Sequence, residues 1–466
     1  MDPRSEGSLM PEDRVHRASP LITNRSRRQL ISIDMLPNDV LLAIFDFYAH
    51  QGHTFKREIE AWQSLVHVCQ RWRSVVFGSP RRLNLRLVCT SKTPARDRLD
   101  IWPALPLLIQ DRTYQTEGGD NIVAVLERSD RVDNIELHGD LSSPVENVLT
   151  AMQVPFPKLT ELQLRLRGKT ETVRVLPDSF LGGSAPRLRL LRLEYLPFPG
   201  LPKLLLSATH LVSLFLWGVP HSGYFSPEAM VTALSALTNL QLLWLDFQSP
   251  LSCPDRESRR PPPPTRNVLP VLTTFWFKGV PEYVEDLMTR IDSPRLKVLN
   301  ITFFNQVVFD TPQFTQFIHR TPTLKPLEKA RIIFQGHAVS VNLSQVSPQA
   351  SDDGRLSVEI LCREFDWQVS SVEQVCTSSL PPLSMLEELY IYEAQHSQPE
   401  WKDNIENQLW LELLFPFTAV KDIYLSEKFA RHIVPALQEL VGGRTTEVLP
   451  ALQNIFLEEL QPSGSL

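Results

Sequence analysis

Nothing in the sequence approaches the roughly 20 consecutive apolar residues that cross a bilayer, so no membrane partner is expected. The first stretch, MDPRSEGSLMPEDRVHRASPLITNRSRR, has no apolar signal core and reads as a disordered arm over 1–30. Cysteine is scarce and odd in number: the five lie at 69, 89, 253, 362 and 376, with no C-x-x-C pair. That excludes a disulfide framework and suits reduced thiols in a cytoplasmic or nuclear protein. The sequons at Asn24, Asn300 and Asn342 are then chance matches. A basic surplus is missing as well. The net charge is -6, which argues against a nucleic-acid partner. Glycine is sparse, 18 residues against 38 prolines. Prolines flanking apolar segments, as in VPFPKL and LPFPGLPKL, suit many short elements separated by rigid turns.

Catalytic patterns are also lacking. There is no G-x-S-x-G, no P-loop, no G-x-G-x-x-G and no H-E-x-x-H. His50, His53, His67 and Cys69 do not fall at metal-ligand spacing, and Cys69 lies on an apolar stripe. GGRTT at 442–446 reads as a helix stop. No cofactor, no metal and no enzymatic activity are expected.

What the chain does have is leucine in a repeated hexad, apolar-x-x-apolar-x-apolar. It occurs as VDNIEL at 132, LTELQL at 159, LRLLRL at 188, LVSLFL at 211, LQLLWL at 240 and LTTFWF at 272. LKVLNI at 296, LEKARI at 327, LEELYI at 386, VKDIYL at 420 and LQNIFL at 452 continue it. RLSVEILCREF fills the one gap with plain alternation at Leu356, Val358 and Ile360. The mean step is about 29 residues. Each hexad ends in period two, a short strand, and segments between them show helical spacing, as at Phe314, Phe317 and Ile318. The run SEKFARHIVPALQELVGG is helical too, broken by Pro435. Strand then helix, repeated, predicts an α/β solenoid with a curved parallel sheet. The units resemble leucine-rich repeats of irregular type, without the asparagine or cysteine of the full consensus. The solenoid is assigned to 132–460, with loop insertions near 248–270 and 336–355 and a tail at 461–466. The segment 91–131 is read as linker and first solenoid elements, with TSKTPARD (90–97) as an exposed link.

The chain before it is helical in pattern. LPNDVLLAIFDFYAH places Val40, Leu41, Ile44, Phe45 and Tyr48 on one helical face, with Pro37 in the first turn. EAWQSLVHVCQRWRSVVFGSP places Trp62, Leu65, Cys69, Trp72 and Val76 on another, ended by Gly78 and Pro80. About fifty residues have difficulty burying that much apolar surface alone. LPNDVLLAIF followed by LVHVCQRWRSVV resembles the F-box motif, assigned to 31–90. The matching positions are Leu36, Pro37, Val40, Leu41, Ile44, Phe45, Leu65, Val68, Cys69 and Trp72. SPRRLNLRL…DIWPALPLLI is similar to the F-box proteins numerous in mushroom-type fungi. The resemblance implies an adaptor: the F-box docks a Skp-family protein and through it a cullin, and the solenoid captures a substrate protein for ubiquitination. The alternative is an interaction scaffold whose helices only cap the solenoid.

The hexad also assigns a second face. The residue between its last two apolar positions projects away from the core. Those residues are Glu136, Gln163, Arg192, Phe215, Trp244, Trp276, Asn300, Arg331, Tyr390, Tyr424 and Phe456. Stacked in register, Phe215, Trp244 and Trp276 form one aromatic row on the concave face with Trp217 at its side, and Tyr390, Tyr392, Tyr424 and Phe456 form a second. With Arg192 and Arg331 beside them, these aromatics are the predicted substrate-binding residues.

Overall fold

The computed structural model describes residues 33–50, 55–92, 94–111, 119–140, 143–167, 175–254, 265–304, 309–324, 328–344, 355–381, 383–394, 405–441 and 448–458. The arm at 1–30, the tail at 461–466 and GGRTT therefore lie outside the described residues.

Three helices come first: Asn38–His50 (α1), Phe55–Val66 (α2) and Gln70–Gly78 (α3). The second apolar stripe is thus two helices, not one. The break falls at Cys69, whose backbone is extended and whose sulfur accepts from the Trp72 amide at 3.4 Å. Cys69 caps α3 instead of continuing a stripe.

Seventeen strands follow among the described residues. They are Leu87–Cys89 (β1), Leu107–Asp111 (β2), Val132–Asp140 (β3), Glu161–Arg167 (β4), Leu190–Glu194 (β5), Ser213–Val219 (β6), Leu242–Phe247 (β7), Asn267–Val268 (β8) and Thr274–Gly279 (β9). Then come Ile291–Asp292 (β10), Val298–Phe303 (β11), Lys329–Gln335 (β12), Ala338–Ser344 (β13), Arg355–Leu361 (β14), Glu388–Glu393 (β15), Asp422–Ser426 (β16) and Asn454–Glu458 (β17). β8 and β10 form a separate short parallel pair; the other fifteen make one sheet. Every hexad falls on a strand of that sheet, and its apolar positions form the ladder Leu162, Leu191, Leu214, Leu243, Phe275 and Leu299. All of these are fully buried.

Crossover helices cover that face. Four of them, Leu201–Leu205, Pro227–Leu234, Pro281–Arg290 and Pro312–Arg320, carry proline in the first turn. There the missing amide costs no hydrogen bond, which is one use of the proline excess. Pro435 does not break its helix: Glu427–Val441 runs through it. Pro435 is exposed, on the solvent side of that helix. Helices about 10 Å wide backing strands about 4.8 Å apart bend such a stack with its strands inside.

The sheet departs from the sequence expectation in one region. It is not wholly parallel, and spatial order runs β9, β11, β14, β13, β12, β15. β12 and β13 form a hairpin over Gly336 and His337, and β13 pairs antiparallel with β14 as well. β14 then lies parallel to β11, and β12 parallel to β15. The double reversal inserts a meander while both flanks keep parallel pairing. Residues 338–344, expected in a loop insertion, are therefore a central strand. Within the other insertion, Asn267–Val268 is the strand β8. The segment 90–97 is exposed in part: Lys92, Pro94, Arg96 and Asp97 face solvent, while Ser91 and Ala95 are buried and the Ser91 carbonyl accepts from Asn121 Nδ2 at 2.7 Å. β1 lies within the segment assigned to the helical unit.

The core is in two parts. One runs along the solenoid from Leu87 to Leu449. The other joins Leu41, Phe45, Trp62, Leu65, Val75 and Val76 of the three helices to Leu83, Leu85 and Leu105. Trp102 packs against both. Its ring lies 5.0 Å from Trp62, and Trp62 Nε1 donates to the Arg86 carbonyl at 3.0 Å.

Candidate interaction surfaces

Among the described residues, no helix or strand is packed over the sheet face opposite the helices, the open face. Its central row reads, in strict register, Gln110, Glu136, Gln163, Arg192, Phe215, Trp244, Trp276, Asn300, Ser357, Asn342, Arg331, Tyr390, Tyr424, Phe456. The residues predicted to alternate outward all stand in it. Ser357 and Asn342, interposed by the meander, lie in no hexad: β14 shows only plain alternation, and β13 lies in a segment read as a loop.

The aromatics of this row form ladders. Trp244 and Trp276 stack at 4.3 Å with planes 5° apart, and Phe215 lies 6.4 Å from Trp244. Arg192 sits over the Phe215 ring at 5.5 Å. Trp217 is not merely beside the row. It stacks on Trp244 at 5.1 Å and 11°. A register shift after Leu216 permits this, and Gly218, at φ +60°, makes the turn. Trp217 is 37% exposed and Trp276 36%, so the ladder faces solvent along its edge.

The second ladder is Tyr390, Tyr424 and Phe456, stacked at 4.3 and 4.7 Å. Arg331 lies over Tyr390 at 5.5 Å. The Tyr390 hydroxyl donates to Glu388 at 2.8 Å. Burial, then that bond to Glu388, pushes its ionisation up. Tyr392, expected in this row, stands instead two residues along its strand, outside the Tyr390–Tyr424–Phe456 register, its ionisation also raised by burial.

Ion pairs border the tryptophan ladder. Glu194 accepts from Arg192 at 2.7 Å and is ion-paired with Arg165, also at 2.7 Å, and Lys278 lies 3.3 Å from Asp246. Burial raises the Asp246 carboxyl above its usual range, with Lys278 opposing.

The helical unit presents a second surface. Of the predicted adaptor-binding residues, Leu41, Phe45 and Leu65 are buried in its own core. Trp72 is half-buried with its ring 4.7 Å from Phe45. The outward residues are Pro37, Val40, Ile44 and Val68. Ile44 is 40% exposed, and Phe47 and Tyr48 extend the same surface. Leu36 is half-buried; its carbonyl and Asn38 both accept from Arg71, which ties the start of α1 to α3. Phe47 was not singled out in the sequence.

Among the described residues no group of three or more His, Cys, Asp or Glu is placed to hold a metal. His53 lies outside the described residues, and none of the five cysteines is in a disulfide. No described helix is long and apolar enough to cross a membrane.

No protein-family model matches the chain, and no curated protein matches it. Among solved structures, it is similar to the leucine-rich repeat-containing protein LegL7 of Legionella pneumophila. The two are 11% identical with a TM-score of 0.28, over 82% of this chain and 94% of that one.

Proposed function

We propose that the chain is a substrate-recognition adaptor of a Skp–cullin–F-box ubiquitin ligase and performs no chemistry itself. The helical unit docks the Skp-family adaptor, and the open face of the solenoid holds the substrate protein. The chain acts by raising the local concentration of substrate near the ligase. The reading starts from the motif in LPNDVLLAIF and LVHVCQRWRSVV. One observation carries it further: α1 is apolar on two faces. Leu41 and Phe45 serve its own core, while Val40, Ile44, Phe47 and Tyr48 are exposed on its other side. A cap needs only the first face. Contiguous exposed apolar residues of this kind mark a docking surface.

The scaffold reading has its own support, since Trp62 and Trp102 fasten the helices to the solenoid. Coexpression of the full chain with a Skp-family adaptor separates the two. Co-purification is expected, and Val40→Asp with Ile44→Asp should remove it while far-UV circular dichroism is unchanged. Failure of the unaltered chain to bind would leave the helices as a cap. Phe45 is unsuitable for this test because its loss opens the core.

A further inference from the structure

The two aromatic ladders are separated by the meander. From Trp276 the row passes through Asn300, Ser357, Asn342 and Arg331 before it reaches Tyr390. Ser357 Oγ donates to Asn342 Oδ1 at 2.6 Å, and Asn342 Nδ2 to Ser340 Oγ at 3.2 Å. Two guanidiniums belong to this gap. Arg331 lies over Tyr390, and Arg355, exposed on β14, stands beside Ser344. Among the described residues neither side chain makes a hydrogen bond or ion pair. The carboxylates of the face are engaged: Glu194 with Arg165 and Arg192, Asp246 with Lys278, Glu388 with Lys329, Glu359 with the Thr302 hydroxyl. Both arginine charges reach the Tyr392 hydroxyl, where they oppose the effect of burial.

Two uncommitted cations between two apolar ladders are complementary to an acidic group flanked by apolar ones. We propose that the open face binds an extended acidic segment of a partner protein. Its carboxylate lies over Arg331 and Arg355, with apolar side chains against Trp276 on one side and the tyrosine ladder on the other. This rests on the reading of the open face as the substrate surface. Trp276 and Tyr390 are five strand steps apart, about 24 Å at 4.8 Å each, which an extended chain spans in about seven residues. Guanidinium–carboxylate bonds are charge-assisted and stronger than neutral ones. A nucleobase would need free ring faces. Those of Trp244 are taken by Trp217 and Trp276, so side-chain contact along the ring edges fits better.

The test is selection of phage-displayed random dodecapeptides on the immobilised full chain. Enriched peptides should carry an acidic residue between apolar ones. Against the variant with Arg331→Glu and Arg355→Glu, the selected residue should switch to lysine or arginine. A synthetic copy of the enriched peptide should bind at least about tenfold more weakly when both arginines become alanine. Its binding should also weaken as salt rises. Peptides that need Trp244 and Trp276 but tolerate the arginine changes would overturn the acidic specificity and leave the open face as the site. Peptides indifferent to both sets, or no enrichment at all, would overturn both.

Discussion

Gly218 shows how one residue shapes the surface. Its φ of +60° is open to glycine, and a Cβ there would lie 2.5 Å from the Tyr195 ring. The turn frees Trp217 from the β6–β7 ladder and lets it lean onto Trp244. Asp246, on β7 near the ladder's edge, carries a different consequence. Burial raises its folded-state carboxyl above the unfolded value, with Lys278 only partly opposing. The folded chain then holds this proton more tightly than the unfolded chain. Stability from this group is present below the unfolded value and falls as pH rises from there to the folded value. Asp246→Asn should flatten that part of the stability–pH curve, measured by denaturant unfolding of both proteins across the acid range. An unchanged difference between them at every pH would contradict this account.

At the scale of elements, the meander is where local pattern and structure part. β13 reads as apolar alternation, yet it falls in a segment that looks like a polar insertion. Its role is set by pairing on both sides, Val341 with Ile332 and with Val358. Val341 is fully buried in the middle of that strand. Proline there removes an amide donor and breaks a central strand. Val341→Pro should lower unfolding stability by about 1–3 kcal/mol, the cost of leaving the partner carbonyl buried and unpaired, read from the denaturant midpoint. A loss near zero would return the segment to a loop.

At the scale of the molecule, the sheet has two ends. β1 is one of them, and α2 packs against it. Trp102 joins the helical core to the solenoid core. A chain begun at Leu87 would expose this edge and the Trp102 ring together, and an uncovered edge invites pairing with a second copy. Such a chain should self-associate in a concentration-dependent way by light scattering, where the full chain does not. A monomeric truncation of equal melting temperature would show that the helices protect nothing.

What the sequence determined by itself is what alternation determines. Side chains in a pleated strand point to opposite faces, whatever the strand pairs with. The leucines therefore had to share one face, and Phe215, Trp244, Trp276, Tyr390, Tyr424 and Phe456 the other. Helix periodicity likewise brought α1 out as amphipathic, though not the half of its apolar surface that packs. Only the tertiary structure decided which strands are neighbours. It put β14 and β13 between β11 and β12, so that Ser357 and Asn342 separate the ladders and Arg355 stands near Arg331. It also sent Phe45 inward and Ile44 outward. The reason is common to both. Strand order and the choice of buried face depend on contacts far apart in the chain, and no local period encodes them.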